Sequence, residues 1–131
     1  MTSKRRPTAI ARPLPPATAA QQDPVKPPYP VRLLHSAAAT ILQRGKERDT
    51  STTGQQQERS MAATVAAFNA IEGTALTERQ GWAFMQTLKL VRAANTARNG
   101  RFNPDDYLDG AAYAALGGEA AAEHGGEGGA A

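Results

Sequence analysis

The chain contains no cysteine, which excludes a disulfide framework, thiolate zinc sites and cysteine nucleophiles. Aromatic residues are also scarce, at 5% of 131 residues, whereas hydrophobic residues reach 40% and are largely alanine. Because alanine buries little area, we expect a thin core built by close packing of helices. A domain with so small a core gains from self-association, so we predict a homo-oligomer.

Long apolar runs are missing too. No stretch approaches the roughly 18 continuous apolar residues that a membrane span requires, so no membrane association is predicted. The first twenty residues are basic, but their prolines and lack of an apolar segment argue against a secretory signal. The sequence also contains no glycine-rich phosphate loop, no HExxH pair and no nucleophile elbow. The cytoplasm is the expected location.

Residues 1–32 are predicted to be a disordered, basic arm. Eight of the nine prolines lie before residue 31, among residues that offer almost nothing to bury. Residues 1–50 carry nine Lys and Arg against three acids, a net charge of +6, and the remainder carries −3. A polyanion would therefore meet this end first. The residues predicted to contact nucleic acid or a protein partner are Lys4, Arg5, Arg6 and Arg12.

Residues 33–121 are predicted to form one all-α domain resembling a small four-helix bundle, followed by a flexible Gly/Ala-rich tail at 122–131. Apolar residues recur with helical spacing in four segments, and no segment alternates as a strand does. Thr77 and Gln80 form a capping box, and Asn103 with Pro104 marks another helix start. The predicted helices span 31–44, ended by Gly45; 55–71; 78–95; and 104–116, ended by Gly117 and Gly118.

The spacing also predicts which side chains face the core. On the first helix they include Leu34 and Leu42, and on the fourth Leu108, Ala112 and Leu116. The core-facing residues predicted on the second and third helices are Met61, Val65, Phe68 and Ile71, and Phe84, Met85, Leu88 and Val91.

Three carboxylates fall where a core-facing residue is expected: Glu58, Asp105 and Asp109. Acids that converge from two helices can hold a hard divalent cation such as magnesium, which would then carry a phosphate. The alternative is structural, because acids in the first turn of a helix are favoured by the helix dipole and need no ligand.

Two basic groups could complete such a site. Lys89 and Arg92, one turn apart, are candidate phosphate contacts; the alternative is a solvated helix flank with buried side-chain stems. Arg44, Lys46 and Arg48 also place three cations together, which is typical of a helix C-terminus that complements the dipole.

Four segments, RGKERD, ERSMAATVAAFNAIEG, LTERQGWAFMQTLKLVRAA and DDYLDGAAYAALGGE, together resemble a family of small phage and prophage domains of unknown function. The resemblance covers residues 33–119. It implies a phage or prophage origin and no established activity.

The same segments are similar, more weakly, to the all-α nucleotide pyrophosphatases of the MazG and dimeric dUTPase type. That similarity implies magnesium held by Glu58, Asp105 and Asp109, phosphate contacts from Lys89 and Arg92, and cleavage of nucleoside triphosphates. This chain departs from the family's paired-glutamate motif, because three glutamines precede Glu58 and Ala62 follows it.

Three functions remain open at this point. The chain is either an accessory protein that binds nucleic acid or a partner through its arm, a magnesium-dependent nucleotide-binding or pyrophosphohydrolase-like domain, or a structural component of a virion. Whether it is an enzyme is not decided by the sequence.

Overall fold

A computed structural model describes residues 2, 10–14, 24–48 and 60–125. These residues form an all-α domain, and no strand occurs among them. Within the same ranges, no helix is long and apolar enough to cross a membrane. The helices described are α1 (Tyr29–Arg48), α2 (Ser60–Glu72), α3 (Glu78–Arg98) and α4 (Pro104–Gly125).

The centre of the fold is the pair formed by α3 and α4, which make the most extensive contact in the domain. The two helices run antiparallel, since Gly117 lies opposite Trp82 while Gly110 lies opposite Lys89. A Cβ atom added at Gly117 would lie 3.4 Å from the Cβ of Trp82. Small residues on α4 therefore allow the two backbones to approach closely, as the alanine-rich composition predicts.

The other helices attach to this pair, α1 to α4 and α2 to α3. The core is thin, as expected, because alanines form much of it. Trp82 supplies its largest buried side chain, and Ile41, Met85 and Tyr113 pack against it while half-buried. The buried residues that form the main cluster are Met61, Val65, Trp82, Leu116 and Ala120.

Both predicted helix starts are confirmed. The Thr77 backbone N–H donates to Gln80 Oε1 at 2.8 Å, and the Gln80 N–H donates to Thr77 Oγ1 at 3.2 Å, which is a capping box. At the start of α4, the backbone N–H of Asp105 donates to Asn103 Oδ1 at 3.2 Å.

The turn between α2 and α3 depends on Asn69, which the sequence analysis did not single out. Its side-chain amide donates to the Leu76 carbonyl, and its Oδ1 accepts from the Leu76 N–H, both at 2.9 Å. Gly73 adopts a φ of 68° in the same turn, which suits a glycine after a helix end. One side chain thus fixes the entry to α3.

Several predicted boundaries are wrong. Tyr29 begins α1, four residues before the predicted domain start at 33, so residues 29–32 are helical and do not belong to a disordered arm. Gly45 lies buried inside α1, and α4 continues past Gly117 and Gly118 to Gly125. These glycines permit close packing or are tolerated within a helix, and they do not end one.

The predicted core face of α3 is also wrong in part. Phe84 is 71% exposed and Val91 is 51% exposed, whereas Trp82 and Ala93 are buried and Met85 and Lys89 half-buried. This orientation places Trp82 against α4 at Gly117, where a small residue leaves room for the close contact. Leu34, Leu42, Phe68 and Ile71 were predicted to face the core and are likewise exposed.

Substituting Gly81 should separate the effect of close packing from that of helix propensity. A Cβ at Gly81 would overlap Met61 Sδ and lie 2.8 Å from Val65 Cγ2, whereas nothing lies within 4 Å of a Cβ at Gly118. We expect Gly118→Ala to raise the free energy of unfolding by about 1 kcal/mol. Gly81→Ala should instead lower the free energy of unfolding by about 1 kcal/mol, because the cost of overpacking against Met61 and Val65 exceeds the gain in helix propensity.

Urea denaturation followed by far-ultraviolet circular dichroism measures both variants. Equal stabilisation by the two alanines would show that α2 does not approach α3 as closely as described.

Candidate functional site

The structure brings together two residues that the sequence analysis proposed for one site, Asp109 and Lys89. Lys89 Nζ lies 2.8 Å from Asp109 Oδ2, and Arg44 Nη2 lies 3.5 Å from Asp109 Oδ1. The side chains of Lys89 and Asp109 are only 12% and 15% exposed. Three helices therefore meet at one carboxylate, with α1 and α3 each supplying a cation to α4. We call these three residues the ion-pair centre.

This geometry engages both oxygens of Asp109. The contact with Lys89 has the length of a strong charge-assisted hydrogen bond, whereas the contact with Arg44 is long. A metal ion bound through both oxygens of Asp109 would have to displace Lys89 from Oδ2. Lys89 is already paired with Asp109, so a phosphate would have to compete with the Asp109 carboxylate for the ammonium group.

The other candidate metal ligands do not join this centre in the described residues. Asp105 is exposed, so the expectation that it shares the inner face with Asp109 is wrong. The acidic residue of that turn that faces inward is Asp106, which is only 5% exposed. Glu58 lies outside the residues that the structure describes. Among those that are described, no three histidine or acidic side chains form a group able to hold a metal ion.

The remaining basic candidates lie apart from the ion-pair centre. Arg92 is exposed on α3, which agrees with the alternative of a solvated flank. Arg12 is exposed as well, while Lys4, Arg5 and Arg6 lie outside the described residues.

A cavity of about 320 Å³ adjoins the ion-pair centre, and all four helices contribute to its wall. Its apolar lining includes Ile41, Met61, Met85 and the stacked rings of Trp82 and Tyr113, whose centroids are 5.7 Å apart with 24° between the ring planes. Arg44 belongs to both features, since its guanidinium contacts Asp109 and its side chain lines the cavity.

Sequence reasoning missed this cavity and the role of Arg44. One signal for the ion-pair centre was present, since Lys89 falls on the same helical face as Trp82, Met85 and Ala93. A lysine on an inward face predicts a buried carboxylate partner. Nothing in the sequence indicated that Arg44, near the end of another helix, would reach the same carboxylate.

No family model, no curated protein and no solved structure matches this chain. The resemblance to phage domains and the weaker similarity to nucleotide pyrophosphatases therefore remain predictions.

Proposed function

We propose that this protein is an accessory protein that acts by binding, with a helical domain that pairs with a second copy and a basic arm that contacts nucleic acid. The observation that carries this proposal is the exposed apolar stripe on α3. Phe84, Leu88 and Val91 lie along one side of the helix, and the two outer residues are more than half exposed.

No charged side chain lies within the stripe itself. Gln80, Thr87 and Ala94 flank it on one side, and the exposed Arg92 lies one turn after Leu88 on the other. A helix face that serves only to meet water is normally rich in charged residues. An exposed apolar face with a polar rim is typical of a protein interface.

A second copy of the chain fits this stripe because the stripe is nearly symmetric about Leu88. In an antiparallel pair of α3 helices related by a twofold axis, Leu88 would meet Leu88 of the second copy and Phe84 would meet Val91. One helix face on each side is small beside a standard interface of roughly 1,200–2,000 Å². We therefore expect a dimer with a dissociation constant in the micromolar range.

The base of the arm is anchored to the domain. Arg32 donates from Nη1 to the Pro27 carbonyl at 2.8 Å, and its guanidinium lies 5.6 Å from the centroid of the Tyr29 ring. These contacts fix residues 27–29 at the start of α1, so the arm joins the domain at a defined point. A dimer would present two such arms, and two linked weak contacts bind a polyanion more tightly than one.

The charge on the arm can be tested in the full chain by replacing Lys4, Arg5, Arg6 and Arg12 with glutamine. We expect the affinity for duplex DNA at low salt to fall by at least tenfold, because these groups neutralise phosphates and release counterions. The slope of log K against log salt should become shallower by up to about 3.6 per chain, at roughly 0.9 per phosphate contact. Fluorescence anisotropy with labelled duplexes of two unrelated sequences measures both quantities.

A matched control removes the same charge from the helical domain. It replaces four exposed cations with glutamine: Lys46, Arg79, Arg98 and Arg101. The proposal requires the arm variant to lose much more affinity than this control. Equal losses would mean that net charge, and not the arm, governs binding.

A further inference from the structure

We propose that the cavity beside the ion-pair centre binds a small aromatic or apolar monoanion, with the ligand's ring against Trp82 and Tyr113 and its acid group at Arg44. This ligand site is separate from the arm and from the α3 stripe, so it does not rest on the proposed function.

The size and lining of the cavity support a ligand of this class. At about 320 Å³ the cavity lies at the lower end of the range for small-molecule sites, roughly 300–1,000 Å³. Aromatic and thioether side chains form most of its apolar wall, and the sulfur atoms of Met61 and Met85 adapt readily to the shape of a bound ring.

The charge around the cavity favours an anion. Arg44 lines the cavity, and the lining residues that the structure describes include no carboxylate. Asp109 does not offset Arg44 fully, because its nearer oxygen contact is with Lys89 at 2.8 Å and Arg44 is 3.5 Å away. A carboxylate entering from the cavity can therefore take a bidentate pair with Arg44, which suits the planar fork of arginine.

The single tryptophan of the chain lies in the cavity wall, so its fluorescence reports on the site directly. We would titrate the full chain with 4-phenylbutyrate and, separately, with 4-phenylbutan-1-ol, which has the same ring and chain without the charge. We expect a saturable change in tryptophan emission with 4-phenylbutyrate and a dissociation constant of roughly 0.1–1 mM. The alcohol should bind about tenfold more weakly.

Two variants locate the binding. Thr64→Phe places a ring in the cavity and should abolish the titration, whereas Thr87→Phe on α3 should leave it unchanged. The pair is matched, because both threonines are exposed and both donate to the carbonyl four residues earlier, Thr64 to Ser60 at 2.7 Å and Thr87 to Ala83 at 2.8 Å. Arg44→Gln should weaken 4-phenylbutyrate about tenfold and leave the alcohol unaffected.

Circular dichroism establishes that each variant is folded before the titration. Equal binding of acid and alcohol would overturn the assignment of Arg44 as the anion contact. No saturable change in the wild type, or an undiminished change in folded Thr64→Phe, would overturn the cavity as a ligand site.

Discussion

Asp109→Asn should lower the free energy of unfolding by about 2–3 kcal/mol. The change keeps the shape of the side chain but removes its charge, and Lys89 is then left only 12% exposed without a carboxylate. Removing one member of a buried ion pair costs about 3–5 kcal/mol, and partial exposure to water reduces that figure here. For a domain of this size, such a loss lowers the melting temperature by more than about 8 °C. Thermal and urea denaturation measure the effect.

The neighbouring Asp105→Asn is the matched control. It removes the same charge from the preceding turn of the same helix, but Asp105 is exposed, so its loss should cost less than about 1 kcal/mol, the usual size of a helix-dipole contribution. Similar effects of the two substitutions would show that the ion-pair centre contributes nothing net to stability.

A double variant distinguishes the need for a charge from the need for packing. Replacing both Asp109 and Lys89 with apolar residues, as in Asp109→Leu with Lys89→Met, leaves no buried ammonium group unpaired. Arg44 is more exposed than the other two side chains and can turn to water. We expect the double variant to be more stable than Asp109→Asn, because an apolar substitute for a whole buried pair is often neutral.

The same variants bear on the magnesium hypothesis. A metal ion and Lys89 would compete for Asp109 Oδ2, where Lys89 already lies at 2.8 Å. Magnesium with a nucleoside triphosphate should therefore leave the melting temperature of the wild type unchanged. A magnesium-dependent rise that Asp109→Asn abolishes would restore the nucleotide-binding alternative.

The helices themselves could be predicted from the sequence because their signals are local. Thr77 with Gln80, and Asn103 with Pro104, specify a helix start within four residues, and both starts were predicted correctly. Glycine is a weaker signal because it occurs both at helix ends and at close contacts inside helices. Gly117 was predicted to end a helix, but it lies inside α4, opposite Trp82.

The rotation of α3 and the ion-pair centre depend on tertiary contacts, which no local pattern specifies. The pattern of large apolar residues predicts that Phe84 and Val91 face inward, because this pattern gives no weight to Ala93 or to Lys89. The true inner face packs against alanine and glycine on α4, so a small residue and a paired lysine fit there. Arg44 and Asp109 lie 65 residues apart, and only the fold brings them together.

The stripe that sequence analysis placed in the core is consequently the surface whose disruption should most affect function. Phe84→Glu places a carboxylate at both outer contacts of the proposed dimer interface, opposite Val91 of the second copy, where an ionised group would lose much of its hydration. We expect the dimer dissociation constant to rise at least about 100-fold, equivalent to about 2.7 kcal/mol. Glutamate is a good helix former, so α3 itself should remain folded. Analytical ultracentrifugation over a range of concentrations measures the change.

Leu90→Glu provides the control, because Leu90 is also exposed on α3 but lies about a third of a turn away from the stripe. This variant should dimerise as the wild type does. If two arms act together on nucleic acid, Phe84→Glu should also weaken duplex binding by at least tenfold while Leu90→Glu does not. A wild type that stays monomeric at all concentrations, or a Phe84→Glu variant that still dimerises, would remove the α3 stripe as the dimer interface. Loss of the dimer with undiminished DNA affinity would instead show that each arm binds alone.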